Sequence, residues 1–206
     1  MAAARKLIAI DIDDTIADST ESLRLLVNKH LGIELSQEAY QIKADYWGYY
    51  EHVWEVNNIA GQVTHDDFAR EMVDDQSHVP LLPSAKFAIG QLAKDYDIIL
   101  VTARDKSWEA STRRWLASNL GENVIDVYFT AVHRDEREMT KGQLCRHLGA
   151  HMLIDDNVEH CQSALDEGIE AILFGMYGWQ HAAPESMVRC QDWQAVLEFL
   201  SKEGGR

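Results

Sequence analysis

The sequence predicts an α/β fold, a doubly wound and mainly parallel sheet with a helical cap inserted into it. Three observations carry that prediction. Runs rich in Ile, Leu and Val at 6–10, 97–101, 125–129, 152–154 and 170–174 do not alternate apolar with polar residues, the mark of strands buried on both faces of a parallel sheet. Patterns of helical period separate the last four runs, so βαβ crossovers join them. Residues 19–82 break that rhythm, with helical patterns and no convincing strand.

Taken in order, the first run (KLIAI) opens the sheet. Asp18 and Glu21 are spaced as a capping box for a helix whose stripe is Leu23, Leu26, Val27, His30 and Leu31, with Gly32 as its stop. Thr64 is placed to cap a further helix that buries Phe68 and Met72, and the PLLP at 80–83 returns the chain to the sheet. In 83–96, Ala85, Ala88, Ile89, Leu92 and Tyr96 share a helix face. Trp108, Trp115, Leu116 and Leu120 do the same in 107–120, between the second and third runs. A helix beginning at Lys141 precedes the fourth run, one over 157–168 ends at its glycine, and 192–201 closes the chain. The expected division is a core of 1–18 and 83–206, with the cap at 19–82.

Composition narrows the function. Two hundred and six residues make one large domain or one with an insertion, and no apolar stretch reaches the length of a membrane helix. Lys and Arg number 19 against 34 Asp and Glu, and the net charge of −15 disfavours nucleic-acid polymers and anionic membrane surfaces as partners. Cys145, Cys161 and Cys190 are odd in number and without a CxxC pair, which fits buried thiols in a reducing cytoplasm rather than disulfides or zinc. The start, MAAARKLIAIDIDD, meets acids too soon for a signal peptide, so a cytoplasmic protein is expected.

The chemistry gathers at strand ends, where ligands bind in such sheets. Asp11, Asp13 and Asp14 follow the first run within four residues, and Asp155 and Asp156 follow the fourth. Carboxylates so close repel unless a cation or proton intervenes. If their strands are neighbours they form a hard oxygen site suited to Mg²⁺. Thr102 ends the second run, where its hydroxyl and the next N–H can grip a phosphate oxygen, and Lys141 can reach the same oxygens as a point charge.

The order DIDDT at 11–15, VTAR at 101–104, Lys141 and IDDN at 154–157 resembles the haloacid dehalogenase superfamily of phosphohydrolases over the whole chain. DIDDTIADS, LVTAR, LIDDN and the tail FGMYGWQ…VRCQDWQAVLEFL further resemble the 5'(3')-deoxyribonucleotidases and their bacterial relatives. The resemblance implies a Rossmann-like core and Mg²⁺-dependent hydrolysis of a phosphomonoester through an aspartyl-phosphate. Asp11 would be the nucleophile and Asp13 the general acid and base. Asp11, the Asp13 carbonyl and Asp155 would hold the metal, and Thr102, the Ala103 N–H and Lys141 the phosphate. Asp156 would orient either Lys141 or a metal-bound water. Asp14 stands where the superfamily often has glycine, and its role is open.

The expected substrate is a small phosphorylated metabolite, with a (deoxy)nucleoside monophosphate leading over a sugar phosphate, a phosphotransfer reaction or a non-catalytic Mg²⁺- and phosphate-binding relative. Residues 46–54, YWGYYEHVW, hold five aromatics. They either pack the cap's own core or, through Trp47 and Tyr50, stack on a base. Helical spacing would align Tyr46, Tyr50 and Trp54, with Trp47 beside them. Arg104 would contact substrate or pair with cap acids such as Asp45. His133 and Arg134 would border the site. No histidine is assigned to metal, and the oligomeric state is left open.

Overall fold

A computed structural model of the protein describes residues 5–130 and 139–203. Its sheet has six strands in the order β3-β2-β1-β4-β5-β6, every neighbouring pair parallel. They are β1 (Leu7–Ile10), β2 (Asp97–Thr102), β3 (Asp126–Phe129), β4 (Met152–Asp155), β5 (Glu170–Phe174) and β6 (Arg189–Cys190). The five expected runs become β1 to β5. The sixth strand has two residues and offers no apolar run to see.

Burial on both faces is what the lack of alternation predicted. Ile8, Ile10, Ile98, Leu100, Ile154 and Ile172 point to one side, where α4 (Ala85–Leu92), α5 (Glu109–Asn119) and α8 (Trp193–Glu203) supply Ile89, Trp115 and Trp193. Ala9, Ile99, Val101, Leu153 and Leu173 point to the other, against Cys145 of α6 (Lys141–Leu148) and Cys161 of α7 (Val158–Asp166). All three cysteines are free and buried. The stripe drawn over 83–96 overshoots its helix, because α4 ends at Leu92 and Tyr96 packs on the core from the turn beyond.

Between β1 and α4 the chain makes α1 (Ser19–Leu31), a 3-10 turn (Gln37–Tyr40), α2 (Tyr49–Val56) and α3 (His65–Asp74). Its two ends are sewn together. Asp18 N–H donates to the Pro80 carbonyl at 2.9 Å, and Leu82 N–H to that of Ile16 at 2.8 Å. This segment has its own apolar cluster, with Val27, Tyr40, Tyr49, Val53, Trp54 and Phe68, joined by Trp179 from beyond β5. The Asp18–Glu21 capping box forms by half. Asp18 accepts the Glu21 N–H, but its own N–H is taken by Pro80, so the Glu21 carboxylate turns to Arg24 at 2.6 and 2.7 Å. Gly32, with φ of 65°, ends α1 as expected. At α3, Thr64 donates its N–H and hydroxyl to Asp67, Phe68 is buried, and Met72 is half-buried.

No helix among the described residues is long and apolar enough to cross a membrane.

Candidate active site

Strand order reverses between β1 and β4, and a cleft opens at the carboxyl ends of strands at such a point. Asp11 leaves β1 there, its N–H tied to the Ile154 carbonyl at 2.9 Å, while Asp155 ends β4 and Asp156 follows it. All three acids are buried, and one carboxylate oxygen of each lies within 4.8 Å of the others. An ammonium stands against two of them. The Lys141 ammonium is 2.7 Å from Asp11 Oδ1 and 2.7 Å from Asp155 Oδ2. Lys141 opens α6, capped by Thr140, and neighbouring Gly142 rests so close to the Ser163 carbonyl of α7 that a Cβ would collide. That contact seats α6 tightly on α7.

Environment splits the carboxylates. Burial raises Asp11 to about 6 against the pull of Lys141. Burial would raise Asp155 too, but Lys141 and His160 outweigh it and hold it at about 2. Asp156 is pushed well above the ordinary range by burial and by the charges of Asp155 and Asp11. Three carboxylates thus meet within a small space, and their all-oxygen donor set fits a hard divalent cation such as Mg²⁺. Asp156 does not orient Lys141: it accepts the Trp179 indole N–H at 2.9 Å, while Lys141 is held by the other two acids.

The Asp13 side chain turns the other way. Arg104 grips it with two bonds, Nε to Oδ2 at 2.8 Å and Nη2 to Oδ1 at 2.7 Å, and Ser19 Oγ donates to it at 2.5 Å. Burial would raise the Asp13 carboxyl, but Arg104 and Ser19 outweigh it and keep it below its usual value. Arg104 also donates to Gln76 at 2.7 Å and to Thr112 at 3.3 Å. So Arg104 does not pair with Asp45, whose side chain is 93% exposed. A bidentate carboxylate nearby outcompetes a solvated one. Thr102 is fully buried at the end of β2, and its hydroxyl accepts the Arg104 N–H at 3.1 Å, which leaves the hydroxyl proton for donation.

Asp14 has a positive φ of 50°, a conformation in which glycine is at ease and aspartate is tolerated. Its carboxylate accepts the Thr20 N–H and hydroxyl, both at 2.9 Å, and burial raises it to about 7. Tyr177 donates its hydroxyl to the Asp14 carbonyl at 2.7 Å.

A cavity of about 500 Å³ opens on this floor at Asp13, Ala103, Arg104 and Asp156. The aromatic stretch divides over it. Trp54 is buried in the segment's own cluster, Tyr49 is buried there and also borders the cavity, and Tyr46, Trp47 and Tyr50 line it with Trp108 and Trp179. The expected helical alignment of Tyr46 and Trp47 fails, because Gly48 turns left-handed at φ of 82° and α2 starts only at Tyr49. Trp47 reaches across to Glu159 at 3.2 Å, and the Tyr50 hydroxyl meets that of Thr20 at 2.9 Å. His133 and Arg134 lie outside the described residues. Sequence reading missed Ser19, Gln76, His160 and Trp179. Ser19 and Trp179 carried a signal, as parts of the DIDDTIADS and tail patterns.

No protein-family model and no curated protein matches the sequence. Solved structures do match in shape. A haloacid dehalogenase-like hydrolase from Streptococcus pneumoniae shows 13% identity and a TM-score of 0.59, over 95% of this chain and 98% of its own. A candidate HAD-hydrolase from Bacillus subtilis, bound to magnesium, shows 13% identity and a TM-score of 0.62, over 96% and 99%. A candidate phosphoglycolate phosphatase from Lactobacillus delbrueckii subsp. bulgaricus shows 13% identity and a TM-score of 0.60, over 95% and 98%. The protein thus has the fold of the haloacid dehalogenase-like hydrolases, with an acidic cluster at its switch point.

Proposed function

We propose that the protein is a Mg²⁺-dependent phosphomonoester hydrolase working through an aspartyl-phosphate. The observation that carries this reading is the buried trio Asp11, Asp155 and Asp156, the first two bridged by Lys141. Those three carboxylates, with the Asp13 carbonyl, would hold the ion. When bound, magnesium would supply positive charge against the Asp11 carboxylate and the transferred phosphoryl oxygens.

The residues divide the chemistry. Asp11 attacks phosphorus, the P–O bond to the alcohol breaks, and Asp13 delivers a proton to the departing oxygen. Water then attacks the aspartyl-phosphate, gives its proton to Asp13, and frees phosphate and Asp11. The grip of Arg104 keeps Asp13 ionised without substrate, which suits the second half. A dianionic phosphate beside Asp13 raises its proton affinity for the first half. Thr102, the Ala103 N–H and Lys141 hold the equatorial oxygens.

In the same reading, 19–82 is a cap over a core of 1–18 and 83–206. The substrate is a nucleoside monophosphate, as in the 5'(3')-deoxyribonucleotidases. Tyr46, Trp47 and Tyr50 on the cavity wall support this, since flat rings suit a flat base. Phosphate release should depend on Mg²⁺ and stop with chelator. A panel of nucleotides and sugar phosphates assayed side by side should favour the nucleotides. No release from any ester with Mg²⁺ would reject the hydrolase. Equal rates for both classes would reject only the nucleotide.

A further inference from the structure

The cavity shares its floor with the chemistry. Asp13, Ala103, Arg104 and Asp156 belong to both, so the alcohol half of an ester attacked by Asp11 has this chamber to occupy. Its ionisable side chains are mostly acidic. Asp14, Glu51, Asp105 and Asp156 face it alongside Asp13. The basic side chains among its described lining residues are already engaged, Arg104 by Asp13 and Gln76, and His65 by Glu51 at 2.8 Å. The remaining wall is largely apolar, with Leu23, Leu26, Phe68 and Met72 opposite the rings.

We propose that this chamber selects esters whose alcohol is uncharged and carries a flat ring system, and that it rejects esters bearing a second anionic group. The inference rests on the hydrolase reading and goes further, since it sets a rule that holds whatever the natural alcohol is. An entering carboxylate would lose its water, meet acids and find, among the described lining residues, no unengaged basic side chain to replace the lost hydration. A flat ring system stacks on the aromatic wall. At about 500 Å³ the chamber lies well inside the range for small-molecule sites and has room for a fused ring system.

The test uses the full chain with Mg²⁺ and matched esters differing by one charge. For phenyl phosphate against 4-carboxyphenyl phosphate, kcat/KM should favour the uncharged ester by at least about tenfold, with phosphoglycolate slower than both. Equal or reversed kcat/KM for the aryl pair would overturn the inference while leaving the hydrolase intact. If no ester is hydrolysed, the hydrolase reading falls and binding decides the inference by itself. Quenching of tryptophan emission by 2-naphthol but not by 2-naphthoate supports it, and equal or stronger quenching by the naphthoate overturns it.

Discussion

The floor and the wall of the site are built on opposite terms. The floor concentrates charge: three buried carboxylates and one lysine on strand ends and the first turn of a helix, each pulled away from its ordinary proton affinity. The wall is rings and aliphatic side chains on helices and loops, with its charges facing inward from the edges. Strand ends are rigid and fix charged groups to the accuracy chemistry needs. Helices hung on a two-stranded neck can vary their side chains while that floor stays fixed. The difference teaches that, under the proposed function, reaction and selectivity would fall to separate parts of this chain and should respond separately to mutation.

The sharpest break of that separation is Asp11→Asn, which should lower kcat by more than about 10³-fold for every ester, because the nucleophile itself is lost. Retained Mg²⁺-dependent turnover would sink the mechanism. Asp13→Asn should cost about 10²–10⁴-fold on alkyl phosphates and visibly less on 4-nitrophenyl phosphate, whose leaving group needs little protonation. Arg104→Ala frees the same carboxylate, so it should cost about 10²-fold in kcat with a small change in KM. A change confined to KM would instead make Arg104 a substrate contact.

Stability should follow the floor. Asp11 and Asp14 bind protons more tightly folded than unfolded, with folded values of about 6 and about 7 against 3.8. In chelator, stability should therefore fall as pH rises from about 4 to about 7, by on the order of 10 °C in Tm. Mg²⁺ should reverse most of the loss, and Asp14→Asn should flatten the upper part of the slope. A Tm in chelator that climbs over this window would contradict the assignment. The smallest effect belongs to the wall: Trp47→Ala should raise KM for nucleotides by about tenfold, leaving kcat and the KM of methyl phosphate nearly unchanged.

The floor was legible because its signal is local. A buried apolar run followed at once by acids marks a strand end, and Asp11, Asp13, Asp155 and Asp156 needed no tertiary information to be singled out. Their division of labour did not follow from spacing. That the Asp13 side chain faces Arg104, while Asp156 joins Asp11 and Asp155, depends on how β1 and β2 place their loops. The wall was legible only as a composition of rings. Which ring lines the cavity turns on Gly48 starting α2 late, and on Trp179 arriving from beyond β5. Gln76 sits in an irregular stretch with no periodic signal to mark it.

Trp179 stacks on Tyr177 at 4.5 Å, meets Tyr49 edge-on at 4.8 Å and bonds Asp156. Beside it, Gly178 lies against the Ile42 carbonyl too closely for any Cβ. The loop at 175–180 is thus cut to the shape of a helical segment more than a hundred residues earlier in the sequence. A chimera that exchanged 19–82 alone with another protein of this fold would leave that loop facing a stranger. Recombination at this seam has to move both pieces as one inheritance, and a graft carrying 175–180 with the helices should fold where the helices alone do not.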